Sequence, residues 1–208
     1  MLSSRYVVGL AWTTSLALLL LAGSCFAADS LVIVKRDQWE ANEPVLEMLH
    51  QTPQRLTVHH TATPARPNLS LGRKLRSLQT FSQTRSKLAD GRVKEAWGDI
   101  PYHFYIDTAG RIGEGRSIDF VGDTNTAYDP TGHVAIVLEG NFEHEVPTAA
   151  QIRALVSLLT TLAKAYHLAP ANIGAHKDFT ETACPGANMM ALLPGVVALV
   201  TAELADRQ

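Results

Sequence analysis

Cysteine is nearly missing from this chain. Only Cys25 and Cys184 occur among 208 residues, which excludes the disulfide framework that staples small exported folds. A dominant charge sign is missing too: 18 Lys and Arg face 20 Asp and Glu, a formal net charge of −2. Nucleic acid, which calls for a basic face, therefore finds no support as a partner. Charged residues make up 18% and hydrophobic residues 46%, which excludes a compositionally disordered chain and suits one compact domain with its own core. No internal repeat is visible.

One long apolar run stands at the N-terminus. Arg5 is followed by "YVVGLAWTTSLALLLLAGSCFAA", a charged start, an apolar middle and a small-x-small exit, the pattern of a secretory signal. Cys25-Phe26-Ala27 satisfies the exit rule, so residues 1–27 read as a signal peptide cleaved after Ala27. The competing reading is an uncleaved anchor, since about 17–25 apolar residues can span a bilayer; Thr13, Thr14 and Ser15 interrupt the run and oppose it. Lipid attachment at Cys25 is weaker still, because "AGSC" lacks Leu at the usual place. The expectation is a periplasmic or secreted protein with no membrane span after cleavage. Its only cysteine is then Cys184.

Residues 28–54 read as an N-terminal segment, with a short strand "LVIV" (31–34), Trp39 and Pro44, ahead of a domain spanning 55–208. "RLTVHHTAT" alternates as a strand does. Leu71, Leu75 and Leu78 recur at helical spacing and predict a helix over about 69–86, followed by a turn at Ala89–Arg92. "YHFYIDTAGRIGEGR" predicts two short strands about Thr108-Ala109-Gly110, and "HVAIVLEG" a buried strand. Thr148 and Gln151 form a capping-box pattern ahead of an apolar stripe from Ile152 to Tyr166. "MMALLPGVVALVTAEL" predicts a terminal helix broken at Pro194. Strands mixed with three amphipathic helices predict an α/β (mixed α+β) domain, a central mixed sheet with helices on its faces.

"GAHKDFTETACPG" (174–186) places His176 eight positions before Cys184. Packing, a Cys–His nucleophilic pair and a metal site are all open to that loop. A nucleophilic cysteine would want an orienting Asn or Asp and a helix N-terminus, whereas Pro185 follows Cys184 directly. The doublet His59-His60 bears on the choice. On a strand, Leu56, Val58 and His60 share one face, and Thr57, His59 and Thr61 the other. With Leu56 and Val58 inward, His60 is a core residue and His59 projects from the polar side. His59, His176 and Cys184 together match a two-imidazole, one-thiolate zinc set that leaves a fourth position for water. Two neutral imidazoles and one thiolate leave Zn2+ at net +1, still a Lewis acid.

Four blocks carry a resemblance: "VHHTAT", "WGDIPYHFYIDTAGRIGEGR", "HVAIVLEGNF" and "GAHKDFTETACPG". In this order, over about residues 55–194, they resemble the family of peptidoglycan recognition proteins and zinc N-acetylmuramoyl-L-alanine amidases. The resemblance implies a mixed sheet flanked by helices and a groove holding Zn2+ on His59, His176 and Cys184. It implies hydrolysis of the amide joining N-acetylmuramic acid to the L-alanine of a stem peptide, with peptidoglycan or a muropeptide as substrate. Tyr102 matches the tyrosine that stabilises the oxyanion. Thr182 stands where some members have a Lys near the reacting carbonyl, giving a hydroxyl without charge. Where one branch has a Glu as base this chain has Val137, with Glu139 two residues on, and Asp123-Thr124 replaces a His common among relatives. Non-catalytic relatives, which bind peptidoglycan without cutting it, typically lack the cysteine retained here. The absence of a core disulfide favours a bacterial-type enzyme.

Overall fold

A computed structural model of the chain describes residues 31–87 and 91–206. The signal-peptide expectation for residues 1–27 lies outside the described residues, as do Ala89 and Asp90 of the expected turn.

Eight strands and three helices form in the order β1 (Ile33–Val34), β2 (Arg55–His60), α1 (Leu71–Gln83), β3 (Ser86–Lys87), β4 (Val93–Lys94), β5 (Phe104–Ile106), β6 (Ile112–Glu114), β7 (His133–Leu138), α2 (Ala149–Ala165), β8 (Ile173–Ala175) and α3 (Ala187–Ala205). Six strands make one sheet in the order β1-β6-β5-β7-β2-β8, and β3 pairs with β4 in a separate ribbon. β5 and β6 are antiparallel, and the other neighbours in the large sheet are parallel. This is the mixed sheet with flanking helices that the sequence pattern implied.

Side-chain alternation assigns the two faces. Leu56 and Val58 of β2, Phe104 and Ile106 of β5, and Val134, Ile136 and Leu138 of β7 join Leu155, Leu159, Met189, Leu193 and Val196 of α2 and α3 in one apolar cluster. The residues between them point the other way, where Tyr105 and Val137 pack with Trp39, Leu71, Leu75 and Ile100. Helices α2 and α3 therefore cover one face and α1 the other. Gly113 of β6 permits the second contact: a Cβ there would stand 2.5 Å from Leu75 Cδ1.

The local signals behave as their chemistry dictates. Ser70 caps α1 by accepting from the Arg73 N–H. Thr148 and Gln151 close the capping box of α2 reciprocally, at 3.1 and 3.0 Å. The β5–β6 turn is held by Asp107 Oδ1, which accepts from the N–H groups of Ala109 and Arg111 at 3.0 Å each, with Gly110 at φ 78°. Helix α1 ends at Gln83, ahead of the expected residue 86, because Ser86–Lys87 pairs as β3 with β4.

Two expectations are corrected. Residues 31–54 are not a separate leader. Ile33 and Val34 pair in parallel with Ile112 and Gly113 at the sheet edge, and Trp39, 1% exposed, donates its indole N–H to Glu114 O at 2.8 Å. The compact unit begins at Leu31. Nor is the terminal helix broken at Pro194: α3 runs continuously from Ala187 to Ala205. Pro194 lies on the exposed side of the helix, opposite the buried Met189, Leu193, Val196 and Val200. The ladder bond that proline forfeits is thus lost where water can replace it. α3 is also long and apolar enough to cross a membrane by length and composition; its buried side, Met189, Leu193, Val196 and Val200, joins Leu155 and Leu159 of α2 in the core.

Buried polar groups tie the layers together. Lys74 of α1, fully buried, donates to Glu139 Oε2 at 2.6 Å and lies 3.7 Å from Asp107 Oδ2; Arg111 pairs with Asp107 at 2.5 Å. On β5's approach, His103 Nδ1 accepts from the Ala135 N–H at 2.8 Å, and Nε2–H donates to Phe120 O at 2.8 Å. Acceptance at Nδ1 needs the neutral ring, and burial pushes the His103 pKa down to about 4 against the opposing bond to Phe120 O. An unfolded histidine titrates near 6.5, so between those values the unfolded chain holds the extra proton and stability rises with pH. Acidifying from pH 7 to pH 4 should therefore remove about 3 kcal/mol through this group. Urea unfolding of the wild type and His103→Asn at both pH values checks it: the variant should show a smaller pH dependence by that amount.

Candidate metal centre and active site

Strand register brings the two histidines together. β2 and β8 are parallel neighbours with Val58 opposite Ala175. The next residues are His59 and His176, so the chain delivers them side by side at the carboxyl ends of adjacent strands. Their ring centroids are 4.6 Å apart. His59 points to the α1 side of the sheet, as alternation requires. His60 points to the opposite face, where its Nδ1 accepts from the Phe142 N–H at 3.1 Å.

The loop after His176 returns Cys184 to the same place. Its sulfur accepts from the His60 N–H at 3.4 Å and stands 3.7 Å from His59 Nδ1. The Thr182 hydroxyl oxygen accepts from the Cys184 N–H at 3.2 Å, fixing the turn that aims the sulfur. His59, His176 and Cys184 each offer one donor atom, all within 4.8 Å of one another. His59 and His176 are 4% and 7% exposed. Tyr102 completes the cluster, its ring centroid 5.2 Å from that of His59. All five residues singled out for the site thus lie in one neighbourhood or beside it.

The donor set suits a divalent cation. A tetrahedral zinc with Zn–S near 2.3 Å and Zn–N near 2.05 Å requires a sulfur–nitrogen edge of about 3.6 Å, and the observed Sγ–Nδ1 distance is 3.7 Å. That contact marks Nδ1 as the donor atom of His59; the other ring nitrogen, Nε2, is buried with no hydrogen-bond partner among the described residues. Burial drives the His59 pKa well below its usual value, reinforced by the neighbouring His176, and brings His176 down to about 4. Both rings are therefore neutral at physiological pH, the form in which an imidazole can hold a metal. Burial also pushes the Cys184 thiol up to about 12, partly offset by the His60 N–H. That opposes a free nucleophilic thiolate; a bound cation is what deprotonates such a thiol.

Two residues that the sequence reading passed over complete the wall. The Thr126 hydroxyl is 2.8 Å from His176 Nε2, and the Tyr128 ring centroid lies 5.0 Å from that of His176. Both belong to the stretch "GDTNTAY", in which the sequence reading singled out only Asp123-Thr124. Glu139, by contrast, is not in the site. Its carboxylate accepts from Lys74 Nζ and from the Arg66 N–H at 2.8 Å, which makes it a structural anchor. Asp123 is taken up by an ion pair with Arg116. Beside Tyr102 a groove of about 540 Å³ opens, lined by Thr61, Thr63, Leu78, Phe81 and Trp97 among others. Lys94 braces its aromatic side, 4.5 Å from the Trp97 ring centroid and 5.2 Å from that of Phe81.

Residues 49–187 match the family model described as N-acetylmuramoyl-L-alanine amidase. The chain belongs to this family. Peptidoglycan recognition protein 1 of Bos taurus is 32% identical over 192 residues, 88% of this chain and 91% of that protein. The N-acetylmuramoyl-L-alanine amidase of Homo sapiens is 34% identical over 145 residues, 66% of this chain but 23% of the longer human protein. Among solved structures, Drosophila peptidoglycan recognition protein SD superposes with a TM-score of 0.67 at 27% identity, covering 79% of this chain and 94% of that one. Peptidoglycan recognition protein-LE, solved with tracheal cytotoxin, a monomeric diaminopimelic acid-type peptidoglycan, gives 0.61 at 29% identity, covering 74% and 87%.

Two substitutions separate site from scaffold. Cys184→Ser should reduce zinc affinity by more than about 100-fold, since a hydroxyl replaces a thiolate ligand and loss of an outer-shell partner alone costs 10–100-fold. Equilibrium competition with a chelator measures it, and unchanged affinity would remove Cys184 from the ligand set. Glu139→Gln leaves the Lys74 charge buried with only Asp107 nearby and should destabilise the fold by about 3 kcal/mol in denaturant unfolding. Unchanged stability would contradict the anchoring role.

Proposed function

We propose that the protein is an exported zinc hydrolase that cleaves the amide between N-acetylmuramic acid and L-alanine in peptidoglycan or its soluble fragments. The observation that carries this reading is the convergence of His59, His176 and Cys184 within 4.8 Å, with Tyr102 against His59. When bound there, zinc would supply the Lewis acidity that polarises the amide carbonyl and lowers the pKa of water.

The chain's own groups do the rest. Tyr102 is the oxyanion donor: burial, with Cys184 nearby, raises its pKa well above the usual phenol value, so it keeps its proton throughout the neutral range. Its hydroxyl hydrogen is free to meet the carbonyl oxygen as negative charge develops there. Thr182 already uses its oxygen to accept from the Cys184 N–H, which leaves its hydroxyl hydrogen for substrate. The groove beside Tyr102, about 540 Å³ with Leu78, Phe81 and Trp97 in its wall, would seat part of a stem peptide, with Thr61 and Thr63 as polar contacts. Glu139, committed to Lys74, is not the proton acceptor.

A second reading, peptidoglycan binding without cleavage, draws on the relatives that are named recognition proteins and on the cytotoxin complex of one of them. The retained thiolate donor favours the hydrolase. Incubating the zinc-loaded protein with purified muropeptides and analysing the products by mass separates the two. The hydrolase releases free stem peptides, whereas the binder leaves the substrate intact. Tyr102→Phe should keep zinc affinity and lose 10²–10³ in kcat, about 2.7–4 kcal/mol of transition-state stabilisation. An unchanged rate would assign Tyr102 to packing.

A further inference from the structure

The strap from Thr124 to Tyr128 meets His176 from outside the donor cluster. Thr126 Oγ1 is 2.8 Å from His176 Nε2, and Thr124 Oγ1 is 2.7 Å from Thr126 Oγ1. Thr124 Oγ1 also accepts from the Thr126 N–H at 3.0 Å. The ring itself is held between His59, at 4.6 Å, and Tyr128, at 5.0 Å, with Tyr128 stacked in turn on Phe179 at 6.2 Å. The ring's hydrogen bond and one of its two ring contacts are thus set by groups outside the donor cluster.

A hydroxyl has one hydrogen to give, so the chain of bonds has two consistent polarities. In one, Thr124 donates to Thr126, which donates to Nε2; the imidazole hydrogen then sits on Nδ1, and neither ring nitrogen has a lone pair free for a cation. In the other, His176 Nε2–H donates to Thr126 Oγ1, whose hydrogen goes to Thr124 Oγ1. Nδ1 then carries the free lone pair. We infer that the Thr124–Thr126 hydroxyl pair positions His176 by holding it as the Nε2–H tautomer, so that Nδ1 is the nitrogen presented to the metal. Thr126 is a positioning residue in this scheme and does not touch substrate. Outer partners of this kind fix the ring's tautomer and orientation and raise its basicity.

The inference rests on the proposed reading of His176 as a ligand, and the test separates the two. Zinc dissociation constants are measured by chelator competition for the wild type, Thr126→Val and Thr126→Ser, and the His176 tautomer is read from ¹⁵N ring shifts of the metal-free wild type at pH 7.5. Thr126→Val should lose affinity about 10–100-fold, Thr126→Ser should keep it, and the wild-type ring should be the Nε2–H form. Melting temperatures of the metal-free variants verify that the fold is retained; should Thr126→Val not fold, the wild-type tautomer and the serine variant decide. An Nδ1–H ring, a valine variant that binds zinc like the wild type, or equal losses in valine and serine overturns the inference while the ligand reading stands. A wild type that takes up no zinc overturns both.

Discussion

Parallel pairing of β2 with β8 is the constraint on which the site depends. Because Val58 faces Ala175 across that ladder, the two histidines that follow, His59 and His176, are brought together although they lie 117 positions apart in sequence. The same ladder needs both strands buried: Leu56 and Val58 at one side and Val134, Ile136 and Leu138 of β7 beside them fill the apolar layer under α2 and α3. A one-residue slip would exchange the faces, putting His60 at the groove and His59 in the core. Register is therefore maintained by hydrophobic burial on the opposite face, and the donor cluster inherits its geometry from packing.

The opposite face is built by contrast. α1 covers only part of it, with Leu71 and Leu75 over Tyr105, Val137 and Trp39, and the ends of β2 and β8 are left for the donor cluster and the groove. Polar groups needed there are held by polar neighbours: the Cys184 sulfur by the His60 N–H, the Cys184 turn by Thr182, the outer nitrogen of His176 by Thr126. Charged groups are kept away from the cluster by pairing elsewhere. Glu139 and Asp107 are neutralised by Lys74 and Arg111, and Asp123 by Arg116. Two neutral imidazoles and one thiol, without a carboxylate competing for the cation among the described cluster, suit a soft, three-ligand centre with room for substrate.

Much of this was legible in the sequence wherever a local rule applied. Period-two alternation through "LTVHH" assigned His59 and His60 to opposite faces, and Thr148 with Gln151 marked the start of α2. Block order carried the ligand set, because spacing alone left Cys184 open to packing or nucleophilic roles. What escaped had no local signature. Thr126 is one threonine among several, and its bond to His176 spans 50 positions. Glu139, two residues beyond the position where one branch has its base, had no role legible in the sequence, because Lys74 on α1, 65 positions earlier, claims it. Pro194 read as a helix breaker because sequence does not reveal that it faces solvent.

The edge strand β1 has a bearing on where the domain can be cut. The family match begins at residue 49, yet Ile33–Val34 closes the open side of β6 and Trp39 seats its indole on Glu114 O. Shortening the chain to the matched region would strip hydrogen-bonding groups bare along β6 and empty the space beneath Leu71 and Leu75. Such an unprotected border invites other chains to add themselves to it. The short strand at residues 33–34 thus acts as a seal against self-association, across the sheet from the β2–β8 pair.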